Sequence, residues 1–161
     1  NRVFYMDEGG IYEDGSPDDI FEHPKRERTV RFIKHIKVFE HFIDSKDFDF
    51  IGLNSKIEEF GRRNQISQKA IYRVQTIFEE LCVQIILPEL SDDFNLHIAV
   101  EYSQDEESVT MQIKYSGNPL NPMNSDNLLS LKIAENAAQS IEYKEIDTDD
   151  FTNLVIAKIK Y

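Results

Sequence analysis

Apolar side chains fall on every second position through Phe94, Leu96, Ile98, Val100 and Tyr102, and again through Val109, Met111, Ile113 and Tyr115. Strict alternation marks a strand with one buried face, so two antiparallel strands are expected, joined by the polar connection Gln104-Asp105-Glu106-Glu107. Upstream, Ile71, Val74, Phe78, Leu81 and Ile85 recur at three and four residues. That spacing predicts an amphipathic helix from Gln68 to Leu87, capped by Ser67 and ended by Pro88. An earlier helix is expected from about Asp49 to Asn64, with Ile51, Ile57 and Phe60 inward and Arg62-Arg63 near its C-terminus, where positive charge is favoured. Phe39 to Ser45 fits strand and helix spacing about equally, and the strand is preferred. A loop rich in Asn, Pro and Ser from Ser116 to Asp126 precedes a helix from Leu128 to Ala138 and two strands, Ser140 to Glu145 and Asn153 to Lys160. Helices before and between the strands of one mostly antiparallel sheet predict an α+β two-layer sandwich for residues 37–161.

The first 36 residues follow a different pattern. Val3 to Met6 and Ile11 to Glu13 read as two short strands around Asp7-Glu8-Gly9-Gly10, where Gly-Gly is expected to supply the positive φ of a hairpin turn. Ser16 is placed to cap a short helix, with Pro17 at its first position and Asp18-Asp19 favoured by the dipole; Pro24 stops it. A second helix opens near Glu27 and is expected to bury Val30 and Ile33, with Ile36 a further candidate. Charge also changes sign: residues 1–22 carry one base and seven acids, whereas residues 25–37 carry six bases and one acid.

Over all 161 residues, 18 Lys and Arg stand against 30 Asp and Glu, a net charge of −12. Such a balance argues against nucleic-acid or anionic-membrane surfaces as partners. No apolar run is long enough to span a bilayer, so direct membrane insertion is not expected. The first residues carry neither an initiator Met nor the sections of a signal peptide, and the chain reads as a piece of something longer. Cys82 is the single cysteine and falls within the helical stripe, which suggests a reduced, buried thiol. His23, His35, His41 and His97 lie far apart, and none has a Cys or His neighbour at metal-ligand spacing. Ser116, Ser125 and Ser130 lack a nearby base, and the acids of residues 105–107 read as a solvated loop rather than a metal site.

The run Arg2-Val3-Phe4-Tyr5-Met6-Asp7-Glu8-Gly9-Gly10-Ile11-Tyr12-Glu13-Asp14-Gly15-Ser16-Pro17, continuing through Phe21-Glu22-His23-Pro24 to Arg28-Thr29-Val30-Arg31-Phe32-Ile33, closely resembles the tail of ABC transporter ATPase subunits of the polar amino acid importer group. In that family this stretch follows the switch histidine and ends the nucleotide-binding domain. The resemblance implies a parent that powers amino acid import at the cytoplasmic face of the cell membrane, with permease subunits as partners. No G-x-x-x-x-G-K-[ST] phosphate loop occurs in the 161 residues, so ATP and magnesium are expected in the remainder of the parent and no cofactor in this part.

Residues 37–161 resemble the GHKL (histidine-kinase-like ATPase) superfamily, and within it the small anti-sigma and serine-kinase group. The resemblance implies that a Glu and, four residues on, a magnesium-binding Asn should stand on the long helix; Glu80 and Gln84 occupy those positions. An Asp past the next strand should accept from the adenine amino group, with glycines nearby. The matching run Tyr115-Ser116-Gly117-Asn118-Pro119-Leu120 puts Tyr115 at the Asp, retains Gly117 and replaces the second Gly by Pro119. The glycine-rich phosphate turn should precede the Leu128 helix, but Asn127-Leu128-Leu129-Ser130-Leu131 contains no glycine. The expected organisation is therefore a C-terminal end of an ABC ATPase domain over residues 1–36, fused to a degenerate GHKL-like regulatory domain over residues 37–161 that forms a homodimer. Glu80, Gln84, Tyr115 and Gly117 are thus expected to be the positions of a degenerate pocket; the alternative is a working ligand site resting on Glu80, Gln84 and Gly117, either an ATP-binding serine kinase or a small-molecule sensor.

Overall fold

Asp7 and Gly10 face each other across a two-residue turn whose central residues, Glu8 and Gly9, hold φ of 49° and 80°. Paired left-handed residues are what a tight hairpin requires, and they fall on Glu8 and Gly9 rather than on the Gly-Gly pair that the sequence suggested. The structure is a computed structural model that describes all 161 residues. It divides into two compact units, one of residues 1–37 with 103–107 and one of residues 38–102 with 108–161.

The smaller unit contains the hairpin strands β1 (Val3–Asp7) and β2 (Gly10–Gly15) and two short helices, α1 (Pro17–Phe21) and α2 (Glu27–Ile33). Ser16 caps α1 reciprocally: its hydroxyl oxygen accepts from Asp19 N–H, and the Asp19 carboxylate accepts from Ser16 N–H at 3.0 Å. Ile20 is buried. On α2 the buried residue is Thr29, whereas Val30 and Ile33 are only half-buried and Phe32 is 61% exposed. The expected apolar stripe is displaced because Glu13 of β2, itself buried, sits against the start of α2. Its carboxylate accepts from the N–H groups of Lys25 (2.8 Å) and Arg26 (3.1 Å). The Thr29 hydroxyl meets no partner in strict hydrogen-bond geometry, but it bears on the same carboxylate and, with the Lys25 and Arg26 N–H groups, holds it below the usual carboxylate range.

The larger unit is built on a five-stranded antiparallel sheet in the order β3-β4-β5-β7-β6, formed by β3 (Ile36–Ile43), β4 (Leu96–Ser103), β5 (Ser108–Tyr115), β6 (Ala138–Glu145) and β7 (Asn153–Ile159). The alternating residues that predicted β4 and β5 are all buried, and they share one core with α3 (Phe50–Arg63), α4 (Gln68–Ile77) and α6 (Leu128–Ala137). β5 and β6 both pair antiparallel with β7, so Gln112, Ile156 and Glu142 stand in one row and Lys114, Leu154 and Lys144 in the next. The domain is thus α+β, as its element pattern predicts.

Two helical expectations need correction. Ile51 is 78% exposed, because α3 buries the stripe Leu53, Ile57 and Gly61, and positions two apart on a helix do not face the same way. The long helix is not uniform: α4 passes into a π-wound segment, Phe78–Ile86, and closes with the short α5, Leu87–Glu89. Pro88 therefore lies in the first turn of α5, where its missing N–H is tolerated, and the helix ends one residue later. The doublets Ile77-Phe78, Leu81-Cys82 and Ile85-Ile86 are all buried. Apolar pairs every four residues exceed the 3.6-residue period of an α-helix, and i→i+5 winding helps keep them on the core side.

Candidate functional site

At the end of β5 the chain turns into a loop whose backbone is fixed from three strands. Tyr115 is completely buried, and its hydroxyl donates to the Leu120 carbonyl at 2.5 Å. Leu120 N–H donates in turn to Asn153 Oδ1 (2.9 Å) and to the Tyr143 hydroxyl (3.2 Å), while Tyr143 donates to the same Asn153 oxygen at 2.6 Å. The Asn153 amide nitrogen donates to Asn118 O (3.2 Å) and Tyr115 O (3.4 Å). Gly117 holds a φ of +98° at the tip, and its carbonyl accepts from the Thr152 hydroxyl at 2.6 Å. Both polar atoms of the fully buried Asn153 amide are thereby used, which ties the loop to the strand ends. The sequence reading missed Asn153 and Tyr143. Asn153 nonetheless carried a signal, being the one polar residue among the inward positions 153, 155, 157 and 159 of its strand.

Beside this loop lies a cavity of about 510 Å³, bounded by the end of the long helix and by residues 119–127. Gln84 lines it together with Glu89, Asn121, Asn124 and Asn127. Glu80, Tyr115 and Gly117 are not among the lining residues, so of the four positions singled out in the sequence only Gln84 reaches this space. Asn127 caps α6, its side-chain oxygen accepting from Ser130 N–H at 3.2 Å. A wider groove of about 1010 Å³ runs between α3 and α4, but its walls carry charges of both signs, among them Glu58, Glu59, Arg62 and Lys69. No group of three His, Cys, Asp or Glu side chains converges as a metal site would require.

Burial dominates the electrostatics of these groups. It pushes the Tyr115 phenol well above the ordinary range, with smaller contributions from Tyr143 and Cys82, and it also raises Tyr143. Cys82, fully buried, is raised by the same cause and is an inert packing residue. On the other side of the sheet His97 is only 8% exposed, its Nε2 lies 3.3 Å from Glu40 Oε1, and its ring sits 4.5 Å from that of Phe42. Desolvation lowers its pKa; Glu40 opposes the shift and Lys114 adds to it.

No family profile matches the chain. Short stretches are similar to ATP-binding proteins of amino acid importers. The chain is 50% identical over 36 residues to the probable amino-acid import ATP-binding protein YxeO of Bacillus subtilis (strain 168), covering 22% of this chain and 14% of that protein. It is 36% identical over 47 residues to the L-cystine import ATP-binding protein TcyN of the same organism, covering 29% of this chain and 18% of the relative. Similarity to the uncharacterized amino-acid ABC transporter ATP-binding protein YhdZ of Escherichia coli (strain K12) is 47% over 36 residues, or 22% and 14% of the two chains. The chain thus contains a segment related to ABC ATPases, and it spans less than a fifth of the length of these curated relatives.

Proposed function

We propose that residues 1–36 are the C-terminal end of the ATP-binding domain of an amino acid importer, and that residues 37–161 form a degenerate GHKL-type module. The module regulates the ATPase and pairs with its own copy without binding ATP. The parent couples ATP hydrolysis to uptake at the inner face of the cell membrane, bound to permease subunits. Support for the first part comes from the short matches to importer ATPases, which are about as long as the segment itself. The smaller unit also leaves Met6, Ile11 and Phe32 about 60% exposed, as suits a segment made to pack against a larger domain.

The observation that carries the loss of nucleotide binding is Tyr115. Where the resemblance implies an outward-facing carboxylate acceptor for adenine, a fully buried phenol donates inward to Leu120 O. A phenol with no exposed surface offers no acceptor to an exocyclic amine arriving from outside, and Asn153 and Tyr143 hold the loop around it. Gln84 stands without Glu80 at the cavity, and the side chains of residues 127–131 cover a turn that in the family is glycine-rich. These residues do not fit Mg-ATP.

An in-frame deletion of residues 38–161 from the full-length ATPase tests the regulatory role. Uptake of labelled amino acid should persist, with a changed rate or a changed response to substrate concentration. Unaltered kinetics at equal protein level would contradict regulation. The second reading, a small-ligand sensor, is favoured by the amide-lined cavity of Gln84, Asn121, Asn124 and Asn127. It requires Gln84→Ala to abolish binding of an amino acid by the module.

A further inference from the structure

The strand order leaves β3 and β6 at the two edges of the five-stranded sheet. An edge strand carries a row of N–H and C=O groups with no strand beside them, a template on which another chain can pair. The chain crosses between the two units at 37/38, 102/103 and 107/108, on β3, at the end of β4 and at the start of β5, and nowhere on β6. β6 therefore belongs wholly to the larger unit, whereas β3 begins in the smaller one.

Register decides what that edge can pair with. Lys144 is opposite Leu154 and Glu145 opposite Asn153, and the same register carries on to Ile146, whose N–H donates to Thr152 O at 3.0 Å. Opposite residues that bond each other directly recur at every second position of an antiparallel ladder, so residues 142, 144 and 146 turn their backbone groups toward β7. Ile141, Tyr143 and Glu145 turn theirs to the free side. Ile141 and Tyr143 pack against the core, so Glu142 and Lys144, both exposed, project from the other face of the sheet.

Two copies of β6 related by a two-fold axis normal to the sheet run antiparallel, and opposed side chains share a face, so the axis passes through a residue. With the axis at Glu142 two carboxylates oppose each other, and at Lys144 two ammonium groups do. At Ile141 the axis puts Lys144 opposite Ala138, where the register of β6 is already broken by a bulge. At Tyr143 the free N–H and C=O of that residue meet those of its copy, Ile141 meets Glu145, and Glu142 stands opposite Lys144 twice. This last pair is of the type without direct backbone bonds, where Cα atoms approach to about 4.5 Å and side chains are closest. Charges on an edge ordinarily keep strands apart; on β6 they oppose the registers centred on Glu142 and Lys144 and favour the one centred on Tyr143. β3 has no equivalent, because Lys37 and Glu40 are three residues apart and lie on opposite faces of their strand.

We infer that two copies of this chain join edge to edge through β6, antiparallel about Tyr143, into one continuous sheet with Glu142 of each copy paired to Lys144 of the other. The inference rests on the self-pairing proposed above and adds its surface and register.

Sedimentation velocity on the whole chain tests it, using the unaltered chain, Glu142→Lys, Lys144→Glu, the double variant and Glu145→Pro. The unaltered chain should dimerise. Glu142 and Lys144 face Ile156 and Leu154 on β7, so reversing them breaks no ion pair across that strand. Each single reversal places two like-charge contacts in the dimer and should weaken association by about tenfold or more, whereas the double reversal should recover most of that loss. Glu145→Pro removes an N–H from the free side and none from the β7 ladder, and should weaken association comparably. Circular dichroism and the unfolding midpoint establish that each variant is folded, and the charge variants stand as an independent test if Glu145→Pro unfolds the chain. A dimer indifferent to the single reversals or to a folded Glu145→Pro, one that the double variant fails to restore, or assembly beyond a dimer overturns this edge and leaves self-pairing intact. A chain that stays monomeric at every concentration overturns both.

Discussion

Asn153 illustrates how a single buried amide can set the shape of a loop. It accepts from Leu120 N–H and from the Tyr143 hydroxyl, and it donates to Asn118 O, so removing it takes a partner from each of these groups and leaves Leu120 N–H with the Tyr143 oxygen alone. Unsatisfied buried groups cost about 1–3 kcal/mol each, and Asn153→Ala should lower stability by roughly that amount or more in denaturant unfolding. Tyr115→Phe keeps the ring and loses one hydrogen bond, for which about 1 kcal/mol is expected. His97 makes a second residue-scale prediction. Burial lowers its pKa from the ordinary 6.5, so between that value and the lower folded one the unfolded chain binds more protons. Stability should therefore fall as pH drops from about 7.5 to about 5.5, and His97→Gln should flatten that slope. The groups that face it are Glu40, which opposes the shift, and Lys114, which adds to it; His41 shifts in the same direction through burial and Lys56. None of this was legible in the sequence, because His97 occupies a polar position of an alternating strand and its burial comes from Phe42 and Phe151 on other segments.

Elements were easier to read than their edges. Strict alternation located β4 and β5, and the Ser67 cap located the start of α4, because these signals are local and the structure keeps them. Ile51 was misplaced for a physical reason. A helix that starts at Phe50 has one buried stripe, and Leu53, Ile57 and Gly61 define it. Leu53→Ala should accordingly cost about 2–5 kcal/mol in equilibrium unfolding, whereas Ile51→Ala should be nearly neutral. If the two substitutions prove equally costly, the packing of α3 described above is wrong. The π winding of Phe78–Ile86 could not be foreseen from helical periodicity alone, since a stripe at three and four residues is read as α-helix by default. Its signature in retrospect is the set of apolar doublets at a spacing of four. Gly61 is a further element-scale constraint: it lies where α3 meets Ile71, and an added Cβ would run into that side chain.

At the scale of the whole molecule, two units of different character share one chain. The smaller carries a hairpin and two short helices with several exposed apolar side chains; the larger has its own sheet and core. Similarity to importer ATPases covers 22–29% of the chain. The sequence did not decide whether Tyr115 is a pocket plug or a core residue; its complete burial and its bond to Leu120 O place it in the core. Cys82 follows the same logic, and a thiol reagent should modify it only after unfolding. The larger unit is proposed to be a sandwich without a nucleotide site. Calorimetric titration of the chain with ATP and with ADP, each with and without Mg²⁺ and at millimolar nucleotide, tests it most directly. No heat beyond dilution is expected under any of the four conditions; magnesium-dependent saturation that is lost in Gln84→Ala would contradict the absence of a nucleotide site.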